Sequence, residues 1–499
     1  MYTLLLPILV PIVTGILMLL PEPEKRKNLR EVEKRNLYSI CTGFGLIASG
    51  LSVLNAIFTA EEMVTLFTIH SKLPIILRAD GLGKLFALIV TIVWICSGFF
   101  AFSYMKHEKN EKRYFAFYLI LYGVLIGIGF SGNLITMYAF YELMTLCSFP
   151  LVLHNQSKEA IMAAMKYMLY SFFGAYMALF GIYFIIKYGN TLSFTWGGTL
   201  SSLAQENKSL FLLITFLMLI GFGVKAGMFP VHGWLPTAHP AAPAPASAVL
   251  SAIIVKCGVF AMIRVVYYII GADFIRGTWV QTAWLTLSLL TVFLGSMLAF
   301  GEKVLKKRLA YSTVSQVSYI IFGLALLNPV SMTGSLLHVT AHALIKCTLF
   351  LVAGAIIVQT GCTKVDELRG IGKRMPVTMW CYTIASLGLI GIPPTGGFIS
   401  KWYLATGALN SGIKVFSIAG PIVLLISAIL TAGYLLPVSI QGFLPGEDFD
   451  GNSLKKCEPD KYMLFPILIL TGLSVLIGLF PNPLIRFIQY FIGLISQLM

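Results

Sequence analysis

The stretch GFGVKAGMFPVHGWLPTAHPAAPAPASAVLSAIIVKCGVFAMIR, residues 221–264, places two lysines within long runs of apolar residues. Lys225 follows LFLLITFLMLIGFGV, and Lys256 lies in the middle of SAVLSAIIVKCGVFAMIRVVYYII. Between them, Pro230 removes a backbone donor, and a helix can break in this way inside a membrane only where protein or water satisfies the freed carbonyls. The stretch therefore predicts membrane-spanning helices, one of them broken beside a buried lysine.

The composition of the whole chain agrees with a membrane protein. Of its 499 residues, 57% are hydrophobic and only 11% are charged, whereas a soluble domain carries about 25% charged residues. This excludes an ordinary cytosolic enzyme. Because a spanning helix needs about 20 apolar residues, the apolar runs predict fourteen spans, near residues 2–20, 37–58, 82–104, 114–130, 134–153, 161–186, 210–229, 244–270, 279–300, 309–327, 331–359, 376–411, 418–440 and 462–490. The run at 376–411 contains Pro393 and Pro394, which predict a second broken helix.

The basic residues orient these spans. The formal net charge is +15, which in a soluble protein would raise the question of nucleic acid; in a membrane protein, Lys and Arg collect in cytoplasmic loops. Of the 36 basic residues, 22 fall in loops after odd-numbered spans and six in loops after even-numbered spans. We therefore expect a multi-pass protein of the cell membrane with both termini outside. The eight cysteines show no metal-ligand spacing, which predicts neither disulfides nor an iron–sulfur site.

Five charged residues lie deep in the predicted spans. They are Glu142, Lys225, Lys256, Lys346 and Lys401. A charge at the bilayer centre costs about 2.5–3.5 kcal/mol, and one carboxylate cannot neutralise four lysines as ion pairs. Several amines must therefore be hydrated or spend time neutral, as proton carriers do; the alternative is that the charges only hold helices together. Four other basic residues are expected at helix ends or snorkelling to the interface: Lys84, Lys166, Arg264 and Arg486.

Histidines add titratable groups near neutral pH. His338, His342 and Lys346 recur at every fourth position, on one helix face at about 6 Å intervals. HVTAH lacks the glutamate of the zinc motif HExxH, and the lysine adds positive charge, so a proton relay is favoured and no metal is predicted. His232 and His239, beside several prolines, either gate proton uptake from the cytoplasm or pack a loop.

Five segments together resemble the antiporter-like subunits shared by respiratory complex I (NADH-quinone oxidoreductase), Mrp-type Na⁺/H⁺ antiporters and membrane-bound hydrogenases. They are residues 221–264, ADGLGKLFALIV at 79–90, KRLAYSTVSQVSYI at 307–320, LLHVTAHALIKCTLFLVAG at 336–354 and GIPPTGGFISKWYLATGAL at 391–409. The resemblance implies an all-α polytopic membrane protein with two inverted five-helix repeats, each containing a broken helix. Residues 113–272 and 273–445 would form the repeats, between three N-terminal helices in 1–112 and a C-terminal helix in 446–499.

The resemblance also implies roles. Glu142 and Lys225 would form a switchable pair that passes a proton through Lys256 to the row His338, His342 and Lys346, and then to Lys401 for release outside. The chain would translocate H⁺ as a membrane subunit of a complex I-related redox pump, such as a membrane-bound hydrogenase or NADH dehydrogenase. Its partners would be other membrane subunits and a peripheral hydrogenase or dehydrogenase module; this chain would carry no cofactor.

Two alternatives remain open. The chain could be a subunit of a Mrp-type Na⁺/H⁺ antiporter that has no redox partner and also moves Na⁺. Alternatively, it could bind quinone as a redox subunit, although the sequence has no GxGxxG, CxxCH or iron–sulfur pattern. Because the sequence lacks these redox motifs, any oxidoreductase activity must come from partners. A third reading, a purely structural membrane anchor, would leave the buried lysines unexplained.

Overall fold

The computed structural model describes residues 2–21, 30–58, 63–70, 73–189, 191–200, 202–446 and 456–496. Three N-terminal helices correspond to the first three predicted spans: α1 (Tyr2–Leu19), α2 (Glu31–Phe58) and α3 (Gly81–Tyr104). A 3-10 turn, Met105–His107, extends α3. Five basic residues that contribute to the orientation count lie outside the described residues: Lys25, Arg26, Lys27, Lys72 and Lys455.

A β-hairpin between α2 and α3 departs from the all-α expectation. Strands β1 (Met63–Thr68) and β2 (Pro74–Arg78) pair antiparallel, with Met63 opposite Arg78 and an irregularity between Thr65 and Phe67. The strands are too short to register as spans, and their β-branched and aromatic residues favour extended backbone. The hairpin also contacts the bundle, because Leu77 forms a bridge with Ser131.

The middle of the chain contains four long helices, a broken region and a fully buried helix. The long helices are α4 (Glu111–Gly129), α5 (Leu134–Val152), α6 (Lys158–Tyr188) and, after a short helix Ser202–Glu206, α7 (Lys208–Ala226). Residues 227–234 interrupt the helical path before a short helix, Leu235–Ala241. Helix α8 (Ala244–Ile270) follows and includes two π-helical segments, Leu250–Ile254 and Arg264–Ile270.

The following part repeats this pattern of long helices and a break. After a short helix, Ala272–Ile275, come α9 (Trp279–Gly301), α10 (Leu305–Ala325) and α11 (Pro329–Thr360). A 3-10 turn, Val365–Leu368, and a short helix, Ile371–Arg374, lead to α12 (Pro376–Ile390). Residues 391–395 separate α12 from α13 (Gly396–Leu409), so the long predicted span 376–411 is broken as expected. Helix α14 (Lys414–Phe443) follows.

The predicted last span, 462–490, consists of two helices. They are α15 (Lys461–Leu479) and α16 (Asn482–Ser496). Pro481 separates them, because proline cannot continue the hydrogen-bonding pattern of α15. In α16, Ile485, Ile488 and Ile492 are buried while Arg486 is exposed, so this helix buries one face only.

Eleven helices in the described ranges are long and apolar enough to cross a membrane. Helices α1 and α12 are shorter apolar helices, and α10 is less apolar because Ser312, Thr313, Ser315, Gln316 and Ser318 are buried within it. Counting these three helices, with α12 and α13 as one broken span, the architecture is compatible with the fourteen predicted spans. Helices α8 and α11 lie deepest, with 100% and 89% of their most apolar windows buried.

A buried ion pair joins α8 to the start of α3. Arg264 Nη1 lies 2.5 Å from Asp80 Oδ2, and Nη2 lies 2.7 Å from Oδ1. Asp80 also accepts a hydrogen bond from Gly83 N and so caps α3. Arg264 lies within the last two turns of α8, near a helix end as expected, but it does not snorkel to the interface, because its side chain is fully buried. Asp80, 184 residues earlier in the chain, supplies the counter-charge.

Candidate functional site

Lys225 lies in the last turn of α7, directly before the first break. Gly227 ends the helix with φ 76°, and the Val224 carbonyl accepts from Gly227 N at 3.2 Å and from the Trp234 indole at 2.7 Å. Lys225 Nζ donates to Thr145 Oγ1 at 3.0 Å, Tyr167 OH at 2.8 Å and Ser171 Oγ at 2.9 Å. These hydroxyls use all three donors of an ammonium group, so the amine is held without a carboxylate contact.

Glu142 lies close to this hydroxyl cage but not within it. It is half-buried on α5, three residues before Thr145, which corresponds to about 4.5 Å along the helix axis. Its Oε1 is buried without a hydrogen-bond partner, and no ion pair within 4.0 Å joins the Glu142 and Lys225 side chains. The two charges still interact electrostatically. The structure therefore shows the predicted pair in a separated arrangement.

Lys256 lies on α8, directly after the first π-helical segment. Its Nζ donates to the Ser251 carbonyl at 2.7 Å and lies 2.5 Å from His342 Nδ1 on α11. The Ser251 hydroxyl is 2.7 Å from Thr313 Oγ1 on α10. The amine therefore contacts its own helix and the predicted histidine row directly, and α10 reaches it only through the Ser251 hydroxyl.

The row on α11 is fully buried. The ring centroids of His338 and His342 are 5.8 Å apart, and His338 Nδ1 lies 2.8 Å from Ser400 Oγ on α13. The Nε2 atoms of both histidines have no hydrogen-bond partner in the protein. Lys346 donates 3.0 Å to the Leu309 carbonyl. Lys256 meets the row at its middle member, so His338 and Lys346 lie on opposite sides of that contact.

Lys401 lies after the second break. Gly391 ends α12 with φ 91°, and Lys401 Nζ donates to the carbonyls of Leu389 at 2.7 Å and Ile390 at 3.0 Å. These carbonyls belong to the last turn of α12 and lack helical donors. The Tyr319 ring lies 4.9 Å from the Lys401 amine and 5.6 Å from the His338 ring. Tyr319 and Ser400 therefore connect the histidine row to Lys401.

The prolines predicted to break helices occupy the two interruptions. Pro230 lies in the segment 227–234, and Pro393 and Pro394 lie in 391–395. The Phe229–Pro230 and Pro393–Pro394 peptide bonds are cis.

The two histidines near the first break have different surroundings. His239 is fully buried, stacks on Phe350 with ring centroids 4.8 Å apart, and has no protein hydrogen bond at either ring nitrogen. Its electrostatic neighbours are Lys306, Lys346 and Lys256. His232 is half-buried, 5.8 Å from the Phe229 ring, and its charged neighbour is Lys166. The structure thus brings His239, but not His232, beside the central lysines.

Lys306 is a residue that sequence reasoning misses. The charge pattern assigns it to a cytoplasmic loop, but its side chain is only 7% exposed and its Nζ donates to the Ala242 carbonyl at 2.5 Å and the Pro240 carbonyl at 3.3 Å. Arg308 is likewise buried, with a hydrogen bond to the Tyr434 carbonyl at 2.9 Å. These carbonyls need donors, which draws the basic side chains inward. Near Lys306, burial raises the pKa of Glu108 although the lysine charge opposes the change.

The predicted relay residues form two groups. Lys256, His342, His338, Tyr319 and Lys401 follow one another across α8, α11, α10 and α13. Lys225 lies in its own hydroxyl cage, and no hydrogen bond joins it to Lys256; the Cys257 thiol is an electrostatic neighbour of both amines. Sequence spacing identifies the amines, but the cage hydroxyls of Thr145, Tyr167 and Ser171 carry no recognisable pattern.

Metal-ligand residues do not cluster in the part of the chain that the structure describes. No group of three or more His, Cys, Asp or Glu side chains there could hold a metal ion. All eight cysteines are free thiols.

Comparisons with known proteins identify the family. Residues 131–427 match the family described as NADH:quinone oxidoreductase/Mrp antiporter, TM, and residues 67–115 match NADH-Ubiquinone oxidoreductase (complex I), chain 5 N-terminus. The N-type subunit of NADH-quinone oxidoreductase from Desulforudis audaxviator is 33% identical over 397 residues, covering 77% of this chain and 78% of the relative. A Na⁺/H⁺ antiporter subunit of Bacillus subtilis is 28% identical over 95% of this chain and 93% of its own length.

A solved structure shows the same fold. A chain of the membrane-bound sulfane sulfur reductase, an archaeal respiratory membrane complex, superimposes with a TM-score of 0.83 at 22% identity, covering 98% of this chain and 96% of that chain. The predicted resemblance is confirmed, because the family match covers more than half of the chain. This protein belongs to the NADH:quinone oxidoreductase/Mrp antiporter family of membrane proteins.

Proposed function

We propose that this chain translocates protons across the membrane through its buried amines and imidazoles. The contact that carries the proposal is the 2.5 Å approach of Lys256 to His342, at the centre of the two most deeply buried helices. A lysine in contact with an imidazole can exchange a proton directly, because the charged ammonium donates to a neutral imidazole nitrogen and the neutral amine left behind can accept a proton again. Beyond this contact, His338 is hydrogen-bonded to Ser400, the residue before Lys401.

Lys225 and Glu142 act as the switch of this relay. In the separated arrangement three neutral hydroxyls hold the amine, and one of them, that of Thr145, lies about one helical turn from Glu142. At 4 Å and an effective dielectric constant of 20, the attraction between the two charges would total about 4 kcal/mol, so closing the pair adds the part of this attraction that the separated arrangement lacks. Movement between cage and carboxylate would therefore control whether Lys225 holds its proton or passes it towards Lys256.

Uptake on the cytoplasmic side passes His239. The two nitrogens of its ring have no hydrogen-bond partner in the protein. The ring lies between Lys306 on the side of the surface and Lys346 and Lys256 on the side of the centre. Lys346 then forms a side branch that joins His239 to the histidine row. Release occurs at Lys401, and His232 has no part in this route.

The chain acts in this proposal as one membrane subunit of a larger assembly. Both termini face outward, the five-helix repeats are residues 113–272 and 273–445, and 1–112 and 446–499 flank them. The redox centre and its cofactors belong to partner subunits, as expected of a hydrogenase or dehydrogenase complex. Similarity to a Na⁺/H⁺ antiporter subunit over 95% of the chain supports a second candidate, a Mrp-type subunit that has no redox partner.

The test uses the assembled complex in proteoliposomes. Lys225→Ala and Glu142→Ala should assemble normally yet lose coupled proton pumping, measured with a pH-sensitive dye. Lys187→Ala is the matched control, because Lys187 lies in the last turn of α6 and packs over the Tyr188 ring, away from the relay. Full pumping by either relay variant would overturn the switch. Replacing Na⁺ with choline should leave pumping unchanged for a redox-driven proton pump and should abolish it for a Na⁺/H⁺ antiporter.

A further inference from the structure

An apolar groove opens between α3 and α15, away from the relay. Its volume is about 490 Å³, within the range of about 300–1,000 Å³ that ligand sites occupy. We name it the α3/α15 groove, and its lining residues are Ile95, Cys96, Phe99, Lys461, Tyr462, Phe465, Pro466 and Ile469. Phe465 and Ile469 are 59% and 50% exposed, so the groove is open along its outer side.

One end of the groove is cationic. Lys461 begins α15, and Lys106, just after α3, places its amine 6.0 Å from the centre of the Tyr462 ring. Asp460, which precedes Lys461, keeps its negative charge but directs both oxygens at the protein: Oδ1 accepts from Met463 N at 3.1 Å, and Oδ2 accepts from Ser103 Oγ. Glu111, the acid that interacts electrostatically with Lys106, is paired with Arg35. Lys106 and Lys461 are both exposed at the mouth of the apolar channel.

The groove runs from this mouth towards the membrane interior. Lys461 and Ile469 are eight residues apart on α15, or about 12 Å along its axis. Both lysines belong to the set of loops assigned to the cytoplasmic side. That leaflet carries the anionic lipids, and basic pockets between spanning helices on this side bind lipid headgroups.

We propose that the α3/α15 groove binds one anionic phospholipid. An acyl chain fills the apolar channel beside Phe465 and Ile469, and the phosphate lies between Lys106 and Lys461. The groove favours an alkyl chain, since its lining below the mouth is almost entirely apolar. The charge selects an anionic headgroup over a zwitterionic one.

The first test is lipid binding to the purified full-length chain. Native mass spectrometry in detergent would follow binding of palmitoyl-oleoyl phosphatidylglycerol and of the matching phosphatidylcholine. Lys106→Gln/Lys461→Gln should bind the anionic lipid about 30-fold more weakly, since each lysine near the surface contributes about a factor of five. Lys303→Gln/Lys364→Gln, two exposed lysines on the same predicted side, is the control and should retain parental binding. Equal loss in both double variants would overturn the proposal.

A second variant tests the groove without altering charge. Ile469→Trp adds bulk to the channel and should remove the tightly bound phosphatidylglycerol, whereas unchanged binding would overturn the site. A benzoylphenylalanine at position 465, photolysed in native membranes, distinguishes the occupants. Cross-linking to lipid supports the proposal, and cross-linking to another polypeptide overturns it by identifying the groove as a subunit interface.

Discussion

The contact between Lys256 and His342 gives the sharpest prediction for transport. In His342→Gln, an amide that cannot carry a proton replaces the imidazole 2.5 Å from the Lys256 amine, which retains the Ser251 carbonyl at 2.7 Å. A hydrogen bond involving a charged group contributes about 1.5–3 kcal/mol. If the loss raises the activation free energy of proton transfer by this amount, transport slows about 10- to 150-fold, since each 1.36 kcal/mol is tenfold in rate.

The assay is initial proton uptake by proteoliposomes containing the complex, normalised to the amount of assembled protein. His154→Gln is the matched control, because His154 is also buried and has no side-chain hydrogen bond, but it packs against Tyr114 outside the relay. The control should transport at the parental rate. Uptake by His342→Gln at more than half that rate, with normal assembly, would refute a route through His342.

Three further predictions concern stability and pH. Asp80→Asn should lower the free energy of unfolding by about 3–5 kcal/mol, because Arg264 would be left buried without its counter-charge; thermal unfolding in detergent would measure this, and an unchanged midpoint would contradict it. Lys306→Met should destabilise the chain by about 1–3 kcal/mol by leaving the Pro240 and Ala242 carbonyls without a donor, whereas Lys303→Met, at an exposed position, should have little effect in the same measurement. Burial and the Arg113 charge lower the pKa of His154 from 6.5 to about 4. Between these values the unfolded chain binds a proton at His154 and the folded chain does not. Up to about 3 kcal/mol of the free energy of unfolding, present above pH 6.5, is therefore lost as the pH falls towards 4. His154→Gln should remove this part of the acid sensitivity, and identical pH profiles for parent and variant would contradict the assignment.

Hydrophobic periodicity and the energetic cost of a buried charge are enough to select the proposed relay residues from the sequence. Apolar runs define the spans; Pro230, directly after the run 210–229, marks the first break, and Pro393 and Pro394, within the run 376–411, mark the second. A lysine in an apolar run is conspicuous, since its charge is expensive in a bilayer. The spacing of His338, His342 and Lys346 places them on one face without any tertiary information.

The contacts between distant segments could not be predicted in this way. Arg264 lies near a helix end in the sequence, and only the fold brings Asp80 to it across 184 residues. Lys306 and Lys307 are adjacent, yet one is buried against backbone carbonyls while the other forms a surface ion pair with Glu302. The π-helical segments of α8 also have no sequence marker, although one of them presents the Ser251 carbonyl to Lys256.

The acceptors around the relay amines explain why protons could move along them. Lys225 is held by hydroxyls, Lys256 by a carbonyl and an imidazole, and Lys401 by two carbonyls. Among the described residues, none of these amines forms an ion pair. A carboxylate at each step would hold the proton in a deep well, because a buried ion pair resists separation. Neutral acceptors keep successive sites closer in free energy, and in the proposed mechanism one carboxylate, Glu142, would bias the whole row when Lys225 approaches or leaves it.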